Sequence, residues 1–520
     1  MQHKGPGLIV IHPFLVFLFP LVSLFSHNVG QVHVRETLRA TAAGLLATGL
    51  LLMILFLISR SWHKAGLAAS WLLVLFFSFG HIYVFLHQRF PAVGVFGQAN
   101  VLTAIWAAAI ILGVWAALRV LPPMPGVSYA LNVAGGVLIL SSLVNLIVYN
   151  WKIITQDGSY DNGRTEIADS RLAGLTSDDS MPDVYYIILD GYGRQDILSE
   201  VYHLDENPLV DFLRKRGFYV AAASHSNYGQ TSLSLASSLN IDYLDRLVSV
   251  GPDAYDPTLT EGLIQNSAVM RFFKARGYKI IAFETGYAFT ELRQADIFYA
   301  GSKWLNHYEE MLLKNTMAVI WLDSAAAEAH RNKIRAVFDN LKLAADVPGP
   351  KFVFAHIVIP HPPFVFDRNG NSVHPSGAGD GQFYYGTRES YIEGYREQLI
   401  YANGLVEGAV SEILDGSKTP PIVIVQGDHG PGAFVNFESL EDTCIRERFS
   451  ILNAYLLPNG GNELLYPEIT PVNSFRVVFD ASFGQDLPLL KDATYYSSWS
   501  HPFRVTEVSD RLHESCRSGQ

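Results

Sequence analysis

Residues 422–430 read Ile422-Val423-Ile424-Val425-Gln426-Gly427-Asp428-His429-Gly430. The unbroken run of β-branched side chains predicts a strand in a buried sheet, because a half-exposed strand would alternate with polar residues. The run ends on a carboxylate and an imidazole set between glycines. Glycine lets the backbone turn sharply at a strand tip, so neighbouring side chains can converge there. Aspartate and histidine are both good ligands for a divalent cation such as Zn2+ or Mn2+. A plain solvated turn would also fit this stretch alone.

A second strand tip repeats the pattern. Val184–Leu189 is followed by Asp190-Gly191-Tyr192-Gly193, again an acid directly after an apolar run. Further strands are predicted at Phe218–Ala223, Tyr278–Phe283, Phe352–Val358 and Ile451–Leu457. Helical patterns lie between them at Leu209–Arg216, Ala268–Arg276, Ala325–Leu343 and Tyr391–Leu414. This alternation predicts an α/β domain with a central sheet flanked by helices. In such sheets ligands gather at the carboxyl ends of the strands, where Asp190, Asp428 and His429 fall.

Two further stretches carry polar side chains near those tips. Ser226–Leu239 reads as a polar turn opening a helix of small residues, with Thr231 at its start. A hydroxyl there has the helix N-terminus beside it, a ready site for phosphate, although locally it reads first as a cap. Phe354–Phe364 places His356 after a strand and His361 between prolines, in a stiff loop. A rigid imidazole can protonate a leaving group or bind a phosphate oxygen; locally, a structural loop histidine is the simpler reading.

The first 150 residues are different in kind. They carry seven basic side chains and one acidic one, a net charge of +6, in a chain whose total is −11. Such a charge-poor half belongs in lipid, and the acidic remainder in water. Five segments, near 8–26, 38–59, 66–86, 101–121 and 127–149, approach the ~20 apolar residues that cross a bilayer. Pro13 and Pro20 predict a kinked first helix. Lys4, Arg60, Lys64 and Arg119 fall on one side and Arg35, Arg39, Arg89 and Lys152 on the other, so charge bias sets no orientation. Residues 151–182 form a polar juxtamembrane linker, and 183–520 the aqueous half. The acidity of that half speaks against a nucleic-acid partner. Cys444 and Cys516 are free thiols or one disulfide; sequence does not choose.

Taken together, strand–Asp–Gly, a helix-initial threonine, His-Pro-Pro-Phe and Gly-Asp-His-Gly resemble the sulfatase-like branch of the alkaline phosphatase superfamily. Five membrane spans before such a domain resemble lipoteichoic acid synthases, phosphoglycerol transferases and phosphoethanolamine transferases. The resemblance implies one divalent metal (Mn2+ or Zn2+, with Mg2+ a third candidate) held by Asp190, Thr231, Asp428 and His429. It implies Thr231 as nucleophile, His361 as phosphate contact or acid, and His356 as a helper at the substrate. It also implies a multi-pass protein of the cell (inner) membrane with its catalytic domain outside the cytoplasm. The expected partners are a membrane phospholipid donor and a glycan or lipid acceptor.

Two departures from the family pattern bear on the chemistry. Sulfatases mature a Cys or Ser within a Cys/Ser-x-Pro-x-Arg motif, where this chain has Thr231-Ser232-Leu233-Ser234-Leu235. The transferases usually present Glu as the first ligand, where this chain has Asp190. The expected activity is therefore transfer of a phospholipid headgroup through a phospho-threonine. A phosphodiesterase or phosphatase using water is the alternative within the same chemistry. A non-catalytic lipid-sensing protein is the alternative outside it, and would be expected to have lost these residues.

Overall fold

The computed structural model describes residues 9–28, 32, 34–89, 99–155, 159–160, 181–252, 254, 256–301, 305–373 and 386–516. The chain divides into two units, Met1–Thr155 with Lys303–Ala326, and Gln156–Ser302 with Ala327–Gln520.

The first unit is built on five helices: α1 (His12–His27), α2 (Val34–Ser59), α3 (Trp62–Arg89), α4 (Ala99–Trp115, continued by the π-turn Ala116–Val120) and α5 (Pro125–Thr155). Four of them are long and apolar enough to cross a membrane. The fifth expected span, α1, has 16 residues and so rises only ~24 Å, short of a ~30 Å hydrocarbon core. Its proline at position 13 opens the helix rather than kinking it, because a residue in the first turn needs no N–H partner. The Asn132 side chain of α5 caps this end by accepting from the backbone N–H groups of Ile11 and His12, at 3.2 and 2.8 Å. Ala65, Ala68 and Ala69 of α3 are wholly buried beside Leu52 and Leu55, the small residues that let apolar helices approach. Leu46, Leu50, Ile111 and Ile147 point outward and are exposed, as a lipid-facing surface requires.

Lys303–Ala326 groups with these helices, although its place in the sequence put it inside the 183–520 domain. The reason is visible in its contacts. Glu309 pairs with Arg39, the Asn306 amide donates to Glu36 O at 2.9 Å, and the Tyr308 hydroxyl donates to Leu21 O at 2.9 Å. Gly80 of α3 lies so close that a Cβ would fall 2.4 Å from the Asn315 carbonyl carbon. Gly80→Val is therefore expected to cost about 1–3 kcal/mol through overpacking, read as a lower melting temperature in detergent. α5 also outruns its expected end and absorbs the start of the linker, since no breaker occurs before Gly158. Ser159–Tyr160 pairs antiparallel with Val248–Ser249. The rest of the linker up to residue 180 lies outside the described residues.

The second unit is organised by a seven-stranded sheet. Its strands are β1 (Val184–Leu189), β2 (Tyr219–Val220), β3 (Lys279–Phe283), β4 (Ile297–Tyr299), β5 (Lys351–Ile357), β6 (Ile422–Gly427) and β7 (Asn453–Leu456). Their order across the sheet is β2-β7-β6-β1-β5-β3-β4. The five from β6 to β4 are parallel, while β7 runs antiparallel to both β6 and β2. In β1, Val184, Tyr186 and Ile188 enter one core and Tyr185, Ile187 and Leu189 the other. Both faces are covered, which is why the strand reads as a continuous apolar run. The sheet is mixed rather than purely parallel, and β4 was not expected from the sequence.

Candidate active site and metal centre

β1 and β6 are hydrogen-bonded neighbours with Leu189 opposite Gly427. The next residue of each, Asp190 and Asp428, therefore emerges at the same edge of the sheet. Gly191, at φ +74°, adopts the left-handed turn that glycine makes freely, and its N–H donates to Asp428 Oδ1 at 3.0 Å. His429 comes next, with Nε2 3.5 Å from Asp190 Oδ1 and 3.3 Å from Asp428 Oδ2. One ligand atom from each of Asp190, Asp428 and His429 lies within 4.8 Å of the others.

Thr231 opens the helix α6 (Thr231–Leu239) at its first turn. The preceding Gln230 occupies the cap position, and its side chain turns away to the carbonyls of Ser497 and Ser498. The threonine hydroxyl caps nothing. It lies 3.1 Å from His429 Nε2. Ser234, one turn on, donates to the Asp428 carbonyl at 2.7 Å and holds α6 against the β6 tip.

The electrostatics are those of a site made for a cation. Asp190 and Asp428 are both almost fully buried, and three of their oxygens, Asp190 Oδ1 and Oδ2 and Asp428 Oδ2, have no hydrogen-bond partner. Buried carboxylate oxygens are seldom left so. Burial raises the Asp190 pKa, but the neighbouring imidazoles of His361 and His356 outweigh it and hold the carboxyl well below the usual range. Burial, with the negative charge of Asp190 beside it, pushes Asp428 up to about 6. Burial also lowers His429, helped by the Arg448 cation, so its ring is neutral. Because Nδ1 is 2.9 Å from Gly430 O and a carbonyl only accepts, the proton sits on Nδ1 and the Nε2 lone pair faces Thr231. Two carboxylates, one imidazole and one hydroxyl form a donor set that fits Zn2+ or Mn2+.

His361 is held by its own backbone, whose N–H donates to Asp190 O at 3.1 Å. Its ring centroid lies 6.2 Å from that of His429, and Nδ1 donates to Pro362 O at 2.6 Å, leaving Nε2 for other partners. The sequence placed His356 at the substrate. It lies inside β5, wholly buried, with Nδ1 3.2 Å from Thr290 Oγ1 and Nε2 3.4 Å from Asp190 Oδ2. Its Nε2 thus faces Asp190 from within the sheet. His501 lies in a loop beside Ser500, 2.9 Å from its hydroxyl.

Several supporting residues escaped the sequence reading. The Tyr395 hydroxyl accepts from Gly193 N at 3.1 Å and donates to Gly191 O at 3.0 Å, fixing the turn after Asp190. Gln398 donates to the His361 carbonyl at 3.0 Å and accepts from Val365 N at 2.8 Å, bracing the proline loop. Both sit on the buried stripe of the helix Arg388–Gly416, where a hydroxyl and an amide among apolar residues were the available signal. Tyr395→Phe leaves the Gly193 N–H buried without its partner, at about 1–3 kcal/mol. The expected result is a melting temperature lower by a few degrees.

The family model described as Sulfatase matches residues 182–477, more than half of the chain. The chain belongs to the sulfatase family, the sulfatase-like branch of the alkaline phosphatase superfamily, and is an enzyme by that membership. No curated protein matches it in sequence. Among solved structures, the C-terminal periplasmic domain of EcEptC from Escherichia coli, in complex with Zn, is 13% identical with a TM-score of 0.42, covering 66% of this chain and 97% of that one. The integral membrane protein lipooligosaccharide phosphoethanolamine transferase A (EptA) from Neisseria meningitidis is 11% identical with a TM-score of 0.36, covering 90% of this chain and 94% of that one.

Proposed function

We propose that the chain is a membrane-anchored, metal-dependent phosphotransferase that moves a phospholipid headgroup, of phosphoglycerol or phosphoethanolamine type, to a glycan or lipid acceptor. The observation that carries this reading is the Thr231 hydroxyl, 3.1 Å from His429 Nε2 at the start of α6, beside the unpartnered oxygens of Asp190 and Asp428.

Asp190, Asp428, His429 and Thr231 would hold one Mn2+ or Zn2+, which when bound lowers the cost of ionising a threonine hydroxyl. Thr231, its hydroxyl proton given up to water, attacks the headgroup phosphorus through Oγ1, and the bond from phosphorus to the diacylglycerol oxygen breaks. His361, with Nε2 uncommitted, supplies the proton to that leaving oxygen. The N-terminal turn of α6 offers backbone N–H groups to the phosphoryl oxygens. An acceptor hydroxyl next attacks the phospho-threonine and passes its proton to His361, and the phosphorus–Oγ1 bond breaks to return Thr231 in its ionised form. The Cys444–Cys516 disulfide supports a catalytic domain outside the cytoplasm, where disulfides persist. The four long apolar helices keep the site's owner at the bilayer that contains the donor, raising its effective concentration there.

The test is lipid mass spectrometry on the full chain in liposomes of mixed phospholipids with Mn2+ or Zn2+, alone and with chelator. Metal-dependent diacylglycerol is expected, and the depleted lipid names the donor. Release of the free headgroup phosphate without acceptor would place the enzyme among the hydrolases. If no lipid changes with any acceptor supplied, the reading is wrong.

A further inference from the structure

A short helix, Ile445–Phe449, lies against two loops of the site at once. On the first loop, Gly430 packs so closely on it that a Cβ would fall 2.1 Å from the Glu447 carbonyl oxygen. On the second, a Cβ at Gly229 would fall 3.0 Å from Phe449 Cζ. Backbone bonds seal both contacts: Gly430 N donates to Arg448 O at 2.6 Å, and Ser226 N to Phe449 O at 2.7 Å. The helix is fixed at its start by the Cys444–Cys516 bridge. Glu447 ties it on another side, accepting from Tyr202, Ala433 and Phe434.

From this helix Arg448 reaches both loops with one guanidinium. Its Nε donates to Gly229 O at 2.8 Å and its Nη1 to Gly430 O at 3.2 Å. The side chain is 6% exposed. Each of these carbonyls is tied to a residue of the site. Gly229 is two residues before Thr231, so its carbonyl sets the path of the backbone entering α6. Gly430 O also accepts the His429 Nδ1 proton, the bond that turns Nε2 toward Thr231. One planar cation thus holds the threonine loop and the histidine loop in a single register.

We infer that Arg448 is a positioning residue for the Thr231–His429 pair, acting through the Gly229 and Gly430 carbonyls; the inference rests on the proposed roles of that pair. The geometry calls for arginine in particular. A lysine ammonium is a single point on a flexible stem and does not reproduce a rigid two-armed fork.

The experiment uses the full chain in detergent, as wild type, Arg448→Ala and Arg448→Lys. Zn2+ and Mn2+ affinity is measured by competition with a chromophoric chelator, beside the melting temperature of the metal-free protein and the steady-state constants for headgroup release. Each is repeated with millimolar guanidinium. In Arg448→Ala, metal affinity is expected to weaken about 10–100-fold, as when a ligand loses its outer partner. A comparable fall in kcat with KM little changed, and recovery with guanidinium, are also expected. Arg448→Lys should recover less than guanidinium does. Metal affinity within about twofold of wild type in a folded Arg448→Ala protein overturns the inference. So does a loss that follows the melting temperature and ignores guanidinium. If the alanine variant does not fold, the lysine variant is judged by the same criteria. Should the wild type release no headgroup at all, the proposed reaction falls, while the metal-affinity contrast still decides the role of Arg448.

Discussion

Thr231→Ala is expected to abolish headgroup release, by on the order of 10⁴-fold or more, as removal of a covalent nucleophile does elsewhere. The protein itself should survive the change. Thr231 sits in the first turn of α6 and caps nothing, and its hydroxyl meets only site residues. Alanine is also a good helix former at such a position. Melting should therefore stay within a degree or two of wild type, and metal affinity should fall only modestly, because Asp190, Asp428 and His429 remain. Thr231→Ser keeps the oxygen and is expected to retain measurable turnover with a phosphorylated serine detectable by mass spectrometry. Headgroup release by Thr231→Ala at a rate near wild type would remove the covalent step from the mechanism.

The second large effect concerns Asp428, and its sign is opposite for function and for stability. Asp428→Asn should destroy metal binding and turnover. In the metal-free protein, however, it should stabilise the fold. Asp428 is buried beside the charge of Asp190, and its carboxyl is pushed up to about 6. An acid whose pKa is raised on folding contributes most below its unfolded value, near 4, and loses that contribution as pH rises through 6. At pH 7 the metal-free wild type thus carries a penalty that asparagine avoids. The amide oxygen can still accept from Gly191 N, so no bond of the turn is lost. Metal-free Asp428→Asn should melt higher than wild type at pH 7, and the difference should vanish near pH 4. Added Zn2+ or Mn2+ should raise the wild-type melting temperature and leave the variant unmoved. Equal melting of the two metal-free proteins at pH 7 would show that the paired carboxylates carry no strain.

Much of this was readable in the chain, for identifiable reasons. β1 and β6 are buried on both faces, so their sequences are continuous apolar runs with sharp ends, and the acids at their tips stand out. β4 was not readable: Ile297–Tyr299 is a three-residue edge strand, half-buried, with no pattern long enough to detect. The outer partners were invisible for another reason. Arg448 and Tyr395 act through backbone carbonyls and N–H groups of residues some twenty to two hundred positions away, and no local spacing encodes such a contact. The first apolar segment matches a membrane span in composition, and its described helix, between Ile11 and Asn28, has 16 residues. The place of His356 was legible only as the residue after an apolar run, and its burial within β5 beside Asp190 was not.

The grouping of Lys303–Ala326 with the apolar helices has a practical consequence. The chain passes between its two units three times, near residues 155, 302 and 326. A soluble fragment made by cutting at residue 156 would keep this stretch and lose what covers it. Tyr308, Leu312 and Val319, buried against the helices in the intact chain, would face water. Such a fragment should self-associate on a sizing column and be clipped by protease around this stretch. Bridging Gly301 to Ala327 with a short polar loop should yield a monodisperse catalytic unit.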